Sequence, residues 1–130
     1  MTSDRTRLQI EQFEKALGRL REVLAMNETD IVRDALIQRF EFTFEMAWRS
    51  LWRWLNDRGE RLPEKAYDVL ASALQGKLIA DAPLWERIRE NRNLTSHTYK
   101  EETAIQVAAF VRSDAAKAFE AALAELKRRK

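Results

Sequence analysis

His97 is the sole histidine of this 130-residue chain, and it lies in the run Arg92-Asn93-Leu94-Thr95-Ser96-His97-Thr98-Tyr99. A proton-transfer group, a fixed cation and a phenol therefore fall within eight residues. An imidazole exchanges protons near neutrality, whereas a guanidinium stays charged and forks onto phosphate oxygens. Together they suit chemistry on a phosphodiester. The imidazole would take the proton of a ribose 2′-hydroxyl, and the guanidinium would steady the charge that develops on the phosphorane oxygens. One histidine does not easily act as base and acid in the same turnover, so this reading calls for a homodimer that supplies a second. The plainer reading of a lone histidine near a helix end is a cap that favours the helix dipole when charged.

The elements that must position these residues are helical. With three glycines, two prolines and apolar residues recurring at helical spacing, the chain is expected to be all-α, an antiparallel four-helix bundle with an additional short helix. Ile10, Phe13, Leu17, Leu20 and Leu24 form one stripe on a first helix. Cap-forming Asn27-Glu28-Thr29-Asp30 ends it, and a second long helix should run from Asp30 to Asp57 before Gly59 stops it. Leu36, Phe40, Phe44, Ala47, Leu51 and Leu55, flanked by Ile37, Trp48 and Trp52, give that helix a wide apolar arc and predict neighbours on more than one side. Pro63 is expected to open a third helix ending at Gln75 and Gly76, and Asp81-Ala82-Pro83 a fourth that carries Arg92.

Beyond the histidine, Thr98-Tyr99-Lys100-Glu101 has the form of a capping box, so a fifth helix should begin there and run to the C-terminus. Its inward stripe would be Ala108, Val111, Ala115, Ala118, Ala122 and Leu126. In one uninterrupted helix, at about 100° per residue, Arg92 and His97 would sit roughly 140° apart. A break near Ser96 would let the imidazole swing back toward the guanidinium. Asn93 is a candidate brace for that turn. Glu41 and Glu45 lie amid apolar residues of the second helix, where a carboxylate needs a partner. Glu45 is thus a candidate to orient Arg92, or to pair with another arginine. Trp48, Trp52, Trp54 and Trp85 fit packing better than base stacking.

The length fits a single domain over residues 1–130. Without cysteine there is no disulfide or thiolate zinc ligand, and one histidine leaves little for a transition metal, so a metal-free mechanism is favoured and no cofactor is called for. Met1-Thr2-Ser3-Asp4-Arg5 leads into a charged amphipathic pattern and no apolar run spans a bilayer, which predicts a cytoplasmic protein without membrane association. The net charge of +2 says little about nucleic acid. Arg87, Arg89, Arg92 and Lys100 gather near the motif, and Lys127-Arg128-Arg129-Lys130 closes the chain, where it also complements a helix C-terminus.

The motif R-x4-H-x-Y at Arg92, His97 and Tyr99 does not stand alone. It accompanies Phe40-Glu41-Phe42-Thr43-Phe44-Glu45-Met46-Ala47-Trp48 on the second helix, Gly76-Lys77-Leu78-Ile79, and Leu84-Trp85 leading into Arg89-Glu90-Asn91-Arg92-Asn93. Over most of its length the chain resembles the HEPN (higher eukaryotes and prokaryotes nucleotide-binding) domain, in the branch of HepT-like, or nucleotidyltransferase substrate-binding, proteins. The resemblance implies a dimeric helical bundle paired with a cognate minimal nucleotidyltransferase. It further implies that Arg92 and His97 are the catalytic pair of a metal-independent endoribonuclease acting on an RNA substrate, the toxin of a toxin-antitoxin pair. Tyr99 would be where the partner enzyme attaches AMP. The alternatives are a non-catalytic nucleotide- or substrate-binding subunit of a two-component nucleotidyltransferase, and a structural adaptor.

Overall fold

The computed structural model describes residues 2–129. In chain order it holds α1 (Asp4–Leu24), α2 (Asp30–Asp57), α3 (Ala66–Gln75) and α4 (Ala82–Leu94), which runs into a 3₁₀ turn (Thr95–His97). There follow α5 (Glu101–Phe110), a π-helical turn (Val111–Ala115) and α6 (Ala116–Arg128). No strand occurs among the described residues, so the fold is all-α, as the spacing predicted.

Side chains that prefer to bond the backbone set the helix ends. Ser3 and Thr29 accept from the amides of Thr6 and Val32, and Asp81 Oδ1 accepts from Leu84 N–H at 3.2 Å. Gly59, at φ 92°, turns the chain out of α2 while the Gly59 and Glu60 amides return to the Asn56 and Leu55 carbonyls. α1 and α2 are antiparallel: Ser3 N–H and the Thr6 hydroxyl both donate to Asp57 at the far end of α2, and near the other end Arg39 donates to the Arg19 carbonyl.

Phe119 of α6 knits the helices together. It is wholly buried and meets Phe13 of α1, Phe40 of α2 and Trp85 of α4, with ring centroids 6.5, 6.0 and 6.0 Å away. The expected arc of α2 is buried, Ile37 and Trp48 included, while Trp52 is half-buried and donates its indole N–H to the Leu62 carbonyl. Helices α1, α3, α5 and α6 pack around α2. Its width is therefore absorbed within one chain, leaving Ile31 and Phe42 as its exposed large apolar residues.

Three boundaries differ from the sequence expectation. α3 starts at Ala66 rather than at Pro63, whose carbonyl instead accepts the Lys65 amide in the turn ahead of the helix. The capping box does not form: the Thr98 hydroxyl donates to the Thr95 carbonyl, and α5 starts at Glu101 after Lys100 with no side-chain cap. The fifth helix is interrupted by the π turn, so α5 and α6 together take the place of one uniform helix. Arg112, within the π turn, donates to the Leu24 carbonyl and to Glu28, which also pairs with Arg33. These contacts tie the α1–α2 turn to the chain's last third. The inward stripe Ala108, Val111, Ala115, Ala118, Ala122 and Leu126 is buried as expected. No helix is long and apolar enough to cross a membrane among the described residues.

Candidate functional site

Arg92 occupies the last turn of α4 and reaches across to α2. Its Nη1 donates to Thr95 Oγ1 at 3.1 Å and lies 3.5 Å from Glu41 Oε2, while Nη2 lies 3.8 Å from Glu45 Oε1. Nε is buried without a hydrogen-bond partner. The Thr95 hydroxyl sits 2.6 Å from the Arg92 carbonyl and 3.1 Å from Glu41, and its one proton serves either oxygen. Glu45 lies 3.6 Å from Arg49, which also pairs with Glu64 and rests over the Trp48 ring. Both partners considered for Glu45 are thus engaged at once. The row Glu64, Arg49, Glu45, Arg92, Glu41 alternates in sign along α2. Each pair is partly exposed and individually weak, yet carboxylates on two successive turns fix where the guanidinium points.

His97 ends the 3₁₀ turn and is exposed. Its ring meets Tyr99 edge-on, with centroids 6.1 Å apart, and Tyr99 is 77% exposed. Helical winding continues through His97, so the break comes at residues 98–100, after the histidine and not near Ser96. With about three residues per turn in the 3₁₀ segment, Arg92 and His97 leave the axis roughly 160° apart. The expected swing of the imidazole toward its own arginine is therefore not found. The cause is local: the hydroxyls of Thr95, Ser96 and Thr98 all bond carbonyls three residues back, which keeps the turn wound.

Asn93 is exposed and takes part in that turn through its backbone carbonyl, which accepts from the Ser96 hydroxyl. The neighbouring Asn91 is the buried amide, donating to the Arg87 carbonyl. Trp48, Trp54 and Trp85 are buried, as packing residues should be. Beside the motif lies an open groove of about 530 Å³ lined by Asp34, Ala35, Ile37, Gln38, Glu41 and Thr98, whose carboxylates disfavour a phosphate there. Arg87 and Arg89 are paired to Asp114 and Glu86. In the basic tail, hydrogen bonds from Arg128 and then Arg129 hold the Glu125 carboxyl down at about 2. These tail arginines serve the end of α6, and Lys130 lies outside the described residues.

Thr95 is the site residue that the sequence reading did not single out, and Glu41, read there only as a carboxylate in need of a partner, shares Arg92 with Glu45. Their signals were present: Glu41 and Glu45 stand four apart on one helix face, and Thr95 stands three past Arg92, where a hydroxyl meets the preceding turn.

Residues 8–128 match the model of the family described as nucleotidyltransferase substrate binding protein like. The chain belongs to that family. The Probable ribonuclease HepT of Haemophilus influenzae is 38% identical over 88 residues, which cover 62% of this chain and 60% of that protein. The match therefore spans less than two thirds of that relative's length. A Thermus thermophilus protein of known structure superposes with a TM-score of 0.81 at 34% identity, over 89% of this chain and 99% of its own. A Haemophilus influenzae protein, described as revealing the fold of a substrate binding domain of a nucleotidyltransferase, superposes at 0.66 with 26% identity, over 94% of this chain and 96% of its own. The HepT-like resemblance drawn from the R-x4-H-x-Y motif and the second-helix pattern holds at the level of family, and so does the helical fold it implied.

Proposed function

We propose that this nucleotidyltransferase substrate-binding family member is a metal-independent endoribonuclease, the toxin half of a toxin-antitoxin pair. The observation that carries the reading is the fixed guanidinium of Arg92, held by Glu41, Glu45 and Thr95 about one and a half helical turns before the exposed His97. A neutral His97 takes the proton of the ribose 2′-hydroxyl as that oxygen attacks the adjacent phosphorus, and Arg92 stabilises the phosphorane oxygens. The bond to the 5′ oxygen breaks, leaving a 2′,3′-cyclic phosphate and a 5′-hydroxyl. The leaving oxygen needs a proton, which an imidazolium on a second copy supplies. Because Arg92 and His97 diverge within one chain, a homodimer in which the two motifs share a cleft also supplies the missing convergence.

The partner in this account is a minimal nucleotidyltransferase that adenylylates Tyr99. The exposed phenol attacks the α-phosphorus of ATP, loses its proton and displaces pyrophosphate. The added phosphate then sits near the basic motif and occupies the scissile group's place. The second reading is a binding subunit that presents a substrate to the transferase without catalysis. It is favoured by the two carboxylates beside Arg92, which offset the charge on which catalysis relies.

The deciding test is incubation of the purified protein with total RNA and tRNA in excess chelator. Cleavage there supports the ribonuclease, and an inert wild type gives the place to the binding subunit.

A further inference from the structure

Phe42 lies in the middle of the longest helix and is 49% exposed, although Thr43 and Phe44 next to it are buried. It borders a groove of about 290 Å³ between α1 and α2 that is lined by Gln12, Lys15, Ala16, Arg19, Arg39 and Phe42. The α1 residues fall at spacings of three, one and three, so they share one helix face. The lining contains three cations and no carboxylate, in contrast to the groove beside the motif with Asp34 and Glu41. Arg39 is pinned across the groove, its Nη1 2.7 Å from the Arg19 carbonyl and 3.3 Å from Glu22. Lys15 and Arg19 form no ion pair among the described residues, whereas Arg21, Arg33, Arg49, Arg87 and Arg112 are all paired.

We propose that this groove binds single-stranded RNA, with Phe42 stacked on one base and Lys15 and Arg19, without ion pairs among the described residues, holding the phosphates beside it, while Arg39 braces the groove. The proposal rests on the ribonuclease reading and gives its substrate a second contact, away from the scissile bond. A half-exposed ring offers a face on which any base stacks, and adjoining cations neutralise the backbone at each side. A protein interface would instead need a larger apolar centre, and Phe42 is the single large apolar residue in the lining. The groove and the motif meet neighbouring positions of α2. Phe42 directly follows Glu41, which pairs with Arg92, and successive helix residues turn by about 100°, so a strand held at Arg92 reaches Phe42 by crossing the outer edge of α2.

The test is fluorescence anisotropy with a labelled single-stranded 2′-O-methyl RNA, which has no free 2′-hydroxyl and cannot be cut. The wild type is compared with Phe42→Ala and with the double variant Lys15→Ala, Arg19→Ala. Phe42→Ala is expected to weaken binding by about fivefold or more, the loss of one stacked base. The double variant should bind more weakly and lower the logarithmic salt slope by about 1.4, the share of two phosphate contacts on a single strand. Unchanged affinity in both variants overturns the proposal. So does Phe42→Ala that leaves affinity intact but turns a dimer into a monomer by light scattering, which gives the face to a second copy. Loss of nucleotidyltransferase binding with RNA affinity unchanged likewise overturns it and assigns the cations to a protein. Cleavage of unmodified RNA by the wild type is measured in parallel. Cleavage with insensitive binding rejects the groove alone, whereas Phe42-dependent binding without cleavage keeps the groove and rejects the nuclease.

Discussion

Arg92 and Glu41 face each other across the α4–α2 contact, Nη1 to Oε2 at 3.5 Å, with the Thr95 hydroxyl bonded to both. Glu45, one turn further along α2, takes the other end of the guanidinium at 3.8 Å. If these carboxylates aim Arg92, neutralising them should damage catalysis far more than stability.

For the double variant Glu41→Gln, Glu45→Gln we expect cleavage to fall by about ten- to hundredfold through misplacement of the guanidinium. The unfolding free energy should move by no more than about 1 kcal/mol, because the pairs are a third exposed. Urea melts and initial rates on one RNA separate the two effects. A variant cleaving at the wild-type rate would leave Arg92 without need of its carboxylates.

The stability of the α1–α2 pair should depend on acid pH through Asp57. Burial alone pushes its carboxyl up, but bonds from Ser3 N–H and from the Thr6 and Ser3 hydroxyls, with Arg58 nearby, outweigh burial and hold it below its ordinary 3.8. A carboxyl depressed on folding contributes stability that is full above its unfolded value and is lost as pH falls below it. Asp57→Asn should therefore cost about 1–3 kcal/mol at neutral pH and flatten the decline of stability below about pH 4. Denaturant melts from pH 2 to 7 measure both. Parallel acid limbs in variant and wild type would mean that Asp57 is no more ionised in the folded chain than in the unfolded one.

Phe119→Ala should be the severest single truncation. The ring is wholly buried where α1, α2, α4 and α6 meet, so its removal should cost about 3–5 kcal/mol. Thermal unfolding followed by circular dichroism should show a fall in Tm of more than about 6 °C. Phe42→Ala, on the surface, serves as the control and should stay within about 0.5 kcal/mol of wild type.

Tyr99 is the predicted switch. After co-expression with the cognate nucleotidyltransferase and incubation with ATP and magnesium, intact mass should rise in AMP units in the wild type and not in Tyr99→Phe. Modified protein should lose RNA cleavage. Mass increments that persist in the Phe variant, or full activity after modification, would place the switch elsewhere.

Much of this molecule was legible in its sequence because helices advertise themselves by periodicity. The stripe from Ala108 to Leu126 and the arc from Leu36 to Leu55 could be placed on the core side from spacing alone. Local boundaries were harder to read, since they turn on competition between hydroxyls and backbone. Thr98 looked like a cap for the helix ahead, but in the fold it bonds the turn behind. That same competition hid the divergence of Arg92 and His97, because a 3₁₀ turn stabilised by three hydroxyls has no hydrophobic period to betray it. The sequence reading offered Glu45 to orient Arg92, whereas the long-range pairing of Arg92 with Glu41 escaped it for another reason. Its 51-residue separation in sequence is closed only by the packing of α4 on α2.

The most direct measurement of the central claim is product analysis of one end-labelled RNA treated in excess chelator with wild type, Arg92→Ala and His97→Ala, each variant first shown by circular dichroism to keep its helices. The account predicts 2′,3′-cyclic phosphate and 5′-hydroxyl ends from the wild type and no cleavage above background from either variant. Cleavage that survives in His97→Ala, or ends bearing a 5′-phosphate, would contradict it.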